Sequence, residues 1–189
     1  MSTVFLDQAL QPGDRILLDT TSLAAYLDAT ESTHVLARYV IDELVASGRN
    51  PAVVSMITVM ELLVRPLRAT PRGHHTILAF LRAQPNLAAV PVDLQVAQDA
   101  AFLRAAQRFS PPDALIVGTG LASQVGHLVT NDKAWARKLA GLESRIRVCT
   151  LADFLEADEL PMPVEWQRMA DGRPMPNIVA AVRRSRTGH

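Results

Sequence analysis

Short apolar runs alternate with longer amphipathic segments along most of this chain, and this alternation restricts the possible folds. The apolar runs, interpreted as strands, are residues 15–19, 52–55, 87–92, 127–130 and 145–148. The segments interpreted as helices are residues 22–28, 34–46, 58–65, 76–83, 93–108, 111–123 and 133–140. Strands that alternate with helices of this length form parallel sheets covered on both faces. The sequence therefore predicts an α/β fold, with three layers (α/β/α) and a central parallel sheet of four to five strands.

Size and composition indicate one globular core. The chain has 189 residues, enough to bury a core without disulfides. Cys149 is the one cysteine, so no intrachain disulfide forms, and we expect a buried, inert thiol in a reducing cytosol. No apolar run approaches the ~20 residues of a membrane span, and the first residues lack the basic start of a secretion signal. We expect a cytoplasmic protein with no membrane association.

Four acidic residues stand at the edges of apolar runs, where a charge has little structural reason to lie. Asp19 is the last residue of the first predicted strand, and Asp132 follows a later one. Asp113 opens an apolar helix, and Glu61 interrupts a run of large apolar side chains. In open parallel sheets, ligands bind at the carboxyl ends of the strands, where the strand order reverses. We therefore predict that all four carboxylates reach one crevice.

Each acid also has a structural interpretation. Asp132 can cap the helix that follows it, and Asp113 stands at the third helical position after Ser110, as in a capping box. For these two taken singly, capping is the more frequent role. Asp19 fits a cap and a catalytic position about equally. Glu61 favours a function, because the residues around it leave few faces on which an exposed carboxylate could lie.

Carboxylates gathered in one place repel each other and require a cation. Oxygen ligands, without histidine or cysteine at ligand spacing, favour Mg²⁺ or Mn²⁺ over zinc. A hydrated divalent ion held in this way can activate water and stabilise a phosphate leaving group. Phosphodiester hydrolysis is therefore the chemistry that the acids indicate.

The segments that carry these acids are Leu17-Leu18-Asp19-Thr20-Thr21-Ser22, Met60-Glu61-Leu62, Pro112-Asp113-Ala114-Leu115-Ile116 and Val129-Thr130-Asn131-Asp132. In this order and spacing, over roughly residues 14–155, they resemble the PIN-domain ribonucleases, notably VapC-type toxins. The resemblance implies cleavage of RNA by metal-activated water, a homodimer and a small antitoxin partner that often inserts into the site.

The resemblance also implies a role for individual residues. Those carried over as catalytic and metal-binding are Asp19, Glu61, Asp113 and Asp132, the last holding Mg²⁺ or Mn²⁺ through water. The supporting residues are Thr21, Thr130 and Asn131. Thr21 stands where many relatives have asparagine or serine, and its hydroxyl can still orient a ligand. Gly118 and Gly120 stand where relatives usually have alanine, and we expect close helix packing there because glycine costs about 1 kcal/mol in a helix.

Other functions remain open. An aspartyl-phosphate phosphatase also uses a strand-end aspartate, but it needs a second aspartate two residues later, where this chain has Thr21. The chain can instead be a solitary PIN-domain nuclease of RNA processing, or a non-catalytic PIN scaffold that binds RNA or protein. Lys133 and Arg137 lie four residues apart and can meet RNA phosphates, although such a face is more often merely solvated. Trp135 is expected to pack against the core rather than to stack on a base.

The last part of the chain differs from the rest in composition. We predict a nuclease domain over residues 1–155 and a C-terminal extension over residues 156–189 that is acidic first and arginine-rich later. The extension can be a partly disordered tail, a strap packed on the domain or on a dimer mate, or an RNA-binding arm. The whole chain has 19 basic and 19 acidic residues, so net charge indicates no nucleic-acid partner.

Overall fold

A computed structural model describes residues 2–70, 72–107 and 109–155 of the protein. Its centre is a parallel sheet of five strands in the order β3-β2-β1-β4-β5. The strands are β1 Ile16–Leu18, β2 Ala52–Ser55, β3 Leu87–Val90, β4 His127–Thr130 and β5 Arg147–Thr150. The predicted α/β fold with a parallel sheet is confirmed. The predicted extension, residues 156–189, lies outside the described residues, so the domain boundary at 155 stays a prediction.

Helices follow the strands and cover the sheet. They are α1 Ser2–Ala9, α2 Thr20–Leu27, α3 His34–Arg38, α4 Met56–Ala69, α5 His74–Ala83, α6 Leu94–Ala106, α7 Pro111–Ala122 and α8 Ala134–Lys138. A π-helical segment, Tyr39–Val45, continues α3, and a 3₁₀ turn, Leu151–Phe154, follows β5. Among the described residues, no helix combines the length and the apolarity that a bilayer crossing requires.

The side chains of each strand alternate between two apolar cores, one on each face of the sheet. In β1, Ile16 and Leu18 belong to the core that α1 to α5 form with the sheet, whereas Leu17 belongs to the core under α6, α7 and α8. This alternation follows from the two-residue period of a strand. Cys149 is buried in the first of these cores, as predicted, and burial raises the pKa of its thiol to about 12.

Gly118 and Gly120 lie where α7 packs closely against α6 and against the sheet. A β-carbon on Gly118 would lie 2.8 Å from the carbonyl oxygen of Val96 in α6. A β-carbon on Gly120 would lie 3.0 Å from the Cδ2 atom of Leu17 in β1. A β-carbon at position 118 would meet backbone that cannot move aside, and one at position 120 would crowd the Leu17 side chain, so the prediction of close packing is confirmed. The same packing fixes α7 over the end of β2, where the Thr119 hydroxyl donates to Ser55 Oγ at 2.9 Å.

Several boundaries differ from those predicted. The helix expected to end at residue 65 continues to Ala69, with Pro66 inside it. β5 begins at Arg147 and not at residue 145, because Arg145 and Ile146 donate their backbone N–H groups to Leu142 in a turn. α1 was not predicted, although Leu6 and Leu10 at its end are fully buried.

β1 lies at the centre of the strand order, between β2 and β4. The chain runs outward from β1 to β2 and β3 on one side, and later to β4 and β5 on the other. The carboxyl ends of β1 and β4 therefore flank the point where the strand order reverses, which is the position of ligand crevices in open parallel sheets. Asp19 follows β1 and Asp132 lies two residues after β4, as predicted.

Candidate active site at the carboxyl ends of β1 and β4

Asp19 is a buried carboxylate that four donors hold in place. Its exposed fraction is 2 %. Oδ1 accepts the backbone N–H of Ser22 at 2.8 Å and the Thr21 hydroxyl at 2.9 Å. Oδ2 accepts the Thr130 hydroxyl at 2.6 Å and the indole N–H of Trp135 at 3.2 Å. Burial raises the pKa of Asp19, while the bonds from Thr130, Ser22 and Thr21 act in the opposite direction.

The predicted supporting residues join the ends of β1 and β4. The Thr21 hydroxyl accepts the backbone N–H of Asn131 at 2.8 Å, and the Thr130 hydroxyl accepts that of Asp132 at 2.9 Å. The amide of Asn131 donates to the Thr33 hydroxyl at 2.6 Å, next to the start of α3. The Thr21 hydroxyl therefore bridges the Asp19 carboxylate and the backbone of Asn131. The turn after β4 is held against Asp19 from both sides.

Glu61 reaches this site from α4. The helix begins directly after β2, so its first two turns lie beside the carboxyl end of β1, and Glu61 is half-buried there. The hydroxyl of Thr20 donates to Glu61 Oε2. Thr20 follows Asp19 in the chain and was not singled out from the sequence. Its hydroxyl places the Glu61 carboxylate next to the backbone that carries Asp19.

Asp113 and Asp132 meet at a single cation, the side chain of Lys138. The ammonium lies 2.8 Å from Asp113 Oδ2 and 3.9 Å from Asp132 Oδ2. It also lies 4.6 Å from the centre of the Trp135 ring, within the range of a cation–π contact. Trp135 and Lys138, about one turn apart on α8, thus connect the carboxylate of Asp19 with those of Asp113 and Asp132.

The capping roles weighed for Asp19 and Asp132 are also present, whereas the Asp113 carboxylate bonds to Lys138 and caps no helix among the described residues. Asp19 caps α2 through Ser22, and Asp132 Oδ1 accepts the backbone N–H of Ala134 at 2.8 Å. Ser110 caps α7 by accepting the backbone N–H of Asp113. Trp135 packs in the core as predicted, 3 % exposed and 6.4 Å from Phe109 between ring centres. Capping uses one oxygen of each aspartate, so the other oxygen of Asp132 remains directed at Lys138.

Two pairs of acids are brought together, but not into a finished metal site. Glu61 is linked to Asp19 through Thr20, and Asp113 is linked to Asp132 through Lys138. Within the described residues, no three His, Cys, Asp or Glu side chains are grouped closely enough to hold one metal ion. The donors nevertheless suit Mg²⁺ or Mn²⁺, since all are carboxylate oxygens and two of them already converge on one positive charge. The Lys138 ammonium occupies the space between the carboxylates of Asp113 and Asp132.

Comparison with known proteins identifies the fold. The sequence pattern of one family, described as PIN domain, matches residues 16–141. No curated protein matches the chain. Solved structures are similar to it as well, and three of them show the degree of likeness. A toxin-antitoxin complex from Klebsiella pneumoniae has a TM-score of 0.52 and 20% identity, over 72% of this chain and 97% of that one.

The other two are similar to the same degree. DNA-bound VapBC from Salmonella typhimurium has a TM-score of 0.52 and 22% identity, over 72% of this chain and 98% of that one. VapC20 from Mycobacterium tuberculosis, a sarcin-ricin loop cleaving toxin, has a TM-score of 0.51 and 16% identity, over 65% of this chain and 93% of that one. The identities are low, so these structures show a shared fold. The family match covers both strands that carry Asp19 and Asp132, and the protein therefore belongs to the PIN domain family.

Proposed function

We propose that this protein is an endoribonuclease that hydrolyses RNA phosphodiester bonds with Mg²⁺ or Mn²⁺, and that it is the toxin of a toxin-antitoxin pair. The observation that carries the proposal is the meeting of Asp113 and Asp132 at one positive charge, beside the buried Asp19. Ion pairs on protein surfaces are common. A buried carboxylate at the point where the strand order reverses, together with two more acids, is instead typical of a catalytic or ligand-binding site.

In this proposal Asp19, Glu61 and Asp113 hold the metal directly, and Asp132 holds it through water. The metal, when bound, supplies Lewis acidity for phosphate oxygens and makes water more acidic. Thr21, Thr130 and Trp135 orient the Asp19 carboxylate, and Thr20 orients Glu61. Because Asp19 is 2 % exposed, its oxygens are protected from bulk water and a cation there interacts strongly.

The RNA substrate is proposed from the family and from the basic residues of α8. Lys133 and Arg137 are exposed on the helix that carries Lys138, where they can meet phosphates. Phosphate contacts of this kind position a nucleic acid without selecting its sequence.

A small antitoxin and a homodimer are proposed as partners, in a cytoplasmic setting. Two of the similar structures are a toxin-antitoxin complex and DNA-bound VapBC. Residues 156–189 are proposed as an extension beyond the nuclease domain, either a tail, a strap or an RNA-binding arm. A version of the protein that ends at residue 170 should retain metal binding, and weaker RNA binding at low salt would identify the arm.

The test is cleavage of a labelled RNA with Mg²⁺ or Mn²⁺. Asp19→Asn and Asp113→Asn should each abolish cleavage, because the amide loses the charge that attracts the metal. Asp93→Asn is the matched control, since Asp93 caps α6 by accepting the N–H of Val96 at 2.9 Å and follows β3, which lies two strands from β1 in the sheet. It should cleave like the wild type.

Circular dichroism and urea unfolding would show that both site variants fold. Full activity in Asp19→Asn and Asp113→Asn, or wild-type cleavage that persists in EDTA, would contradict the proposal. RNA binding without metal-dependent cleavage would instead favour the non-catalytic scaffold. Growth arrest on induction, relieved by co-expression of a small neighbouring protein, would distinguish a toxin from a solitary nuclease.

A further inference from the structure

Among the residues that the structure describes, Lys138 is the basic residue that pairs with the predicted metal-binding acids, and its surroundings differ from those of its neighbours. It is the last residue of α8, and its side chain is 31% exposed. Lys133 and Arg137 of the same segment are exposed, and neither forms an ion pair within the described part of the chain. Lys138 instead lies between Asp113 and Asp132, over the ring of Trp135.

The Trp135 contact fixes the ammonium on one side. The ring centre is 4.6 Å away, and the indole N–H of the same ring donates to Asp19. An ammonium at this position neutralises part of the repulsion between Asp113 and Asp132. A divalent cation bound to the same two carboxylates would lie next to this ammonium and be repelled by it. The two cations therefore compete for one pair of carboxylates.

We propose that Lys138 is an intramolecular counterion that holds Asp113 and Asp132 together until a divalent metal displaces it. This inference rests on the proposed function, because the acids are the same. Lys138 is then a positioning residue that regulates metal binding. The apparent metal affinity is then the intrinsic affinity multiplied by the fraction of molecules in which the ammonium has left the two carboxylates.

The fold offers the displaced ammonium a new position. A cleft of ≈ 330 Å³ adjoins the site, and its lining is Gln107, Phe109, Asp113, Arg137, Lys138 and Ala140. An ammonium that swings into this cleft frees the oxygens of Asp113 and Asp132.

The first test is calorimetric titration of Mn²⁺ into protein freed of metal with EDTA and dialysed, without RNA. Lys138→Met keeps the apolar stem and removes the charge, and it should bind Mn²⁺ about tenfold more tightly than the wild type. Arg137→Met is the matched control, because it removes one positive charge from the same helix and cleft without touching either acid. It should change the affinity less than about threefold, through long-range charge alone. Lys138→Arg, which keeps the charge, should bind like the wild type.

An unchanged or weaker affinity in Lys138→Met, or an equal gain in Arg137→Met, would overturn the inference. Absence of Mn²⁺ binding in both the wild type and Lys138→Met would overturn it as well. The outcome is separable from the proposed function, since the titration contains no RNA. Tighter binding by Lys138→Met in a protein that cleaves no RNA would support the counterion and reject the nuclease.

A second measurement is made on the wild-type protein. The chain contains two lysines, Lys133 and Lys138, so labelling of lysine Cε with ¹³C gives two NMR signals. The Lys138 signal, assigned by its loss in Lys138→Met, should shift more when Mg²⁺ is added than the Lys133 signal, because Lys133 follows Asp132 in the chain but forms no ion pair with either acid. A Lys138 signal that does not respond to saturating Mg²⁺ would overturn the inference.

Discussion

The indole N–H of Trp135 donates to Asp19 Oδ2 at 3.2 Å, so a core tryptophan of α8 is bonded to the buried carboxylate that follows β1. The bond explains why a residue that packs as ordinary core belongs to the site. It also relates the two regions of acids, because the ring of Trp135 lies under the Lys138 ammonium.

Trp135→Phe should lower the free energy of unfolding, because Asp19 loses one donor while remaining buried. A hydrogen bond to a charged group contributes about 1.5–3 kcal/mol, and the smaller ring adds a packing loss. Urea unfolding would measure the change.

The contribution of the hydrogen bond between Trp135 and Asp19 is isolated by a double-mutant cycle with Asp19→Asn, in which we expect a coupling energy of about 1 kcal/mol. Additive effects of the two substitutions would show that the hydrogen bond contributes nothing. Phe109→Leu serves as the packing control, since it alters the aromatic contact and leaves the donor in place.

Gly118→Ala should destabilise the protein by about 1–3 kcal/mol, because overpacking forces α6 and α7 apart. The added β-carbon would meet the backbone oxygen of Val96 at 2.8 Å, and backbone cannot rotate away as a side chain can. Gly126→Ala is the control, since its nearest contact would be Asp14 Cγ at an ordinary 3.8 Å. The midpoint of thermal unfolding should fall for Gly118→Ala and stay within a few degrees of the wild type for Gly126→Ala. Equal midpoints in all three proteins would contradict the close approach of the helices.

The stability of the fold should decrease below about pH 6.5 through His127, whose exposed fraction is 4%. Burial lowers the pKa of His127, Arg147 lowers it further, and Asp14 at 3.3 Å raises it in part. A histidine whose pKa is lower in the folded state stabilises the fold above its unfolded pKa, and that stability is lost as pH falls through the folded pKa. One such group changes the unfolding free energy by at most about 1.4 kcal/mol between pH 7.5 and 5.5.

Urea unfolding at both pH values would measure this dependence. His127→Gln should show a smaller decrease in stability on acidification than the wild type. His75→Gln, at an exposed histidine, should retain the wild-type dependence. A decrease of the same size in His127→Gln would assign the acid sensitivity to other groups.

Cys149 should not react with thiol reagents in the folded protein. Its exposed fraction is 3%, and burial raises the pKa of the thiol to about 12, so the thiolate that reacts is rare at neutral pH. Labelling by an aromatic disulfide reagent should be slow in buffer and fast in urea. Rapid labelling without denaturant would mean that the core around β5 opens readily.

The sequence alone was sufficient for the parallel α/β architecture, because hydrophobic periodicity is local and each strand or helix carries its own pattern. It also located the acids, since Asp19 and Asp132 follow strands and Asp113 begins a helix. Boundaries were less well predicted where distant packing decides them. Pro66 is tolerated inside α4, and β5 begins two residues later than its apolar run, after a turn at Leu142.

The contacts that complete the site depend on the tertiary structure. Lys138 and Asp113 are 25 residues apart, and Trp135 and Asp19 are 116 apart. No local pattern relates such pairs, and the sequence indicated packing for Trp135 and no role for Lys138. The strand order brings the carboxyl ends of β1 and β4 together and places α8 beside them. An ion pair depends on the distance between two side chains in the folded protein. The fold therefore decided that Lys138 is the counterion of Asp113 and Asp132.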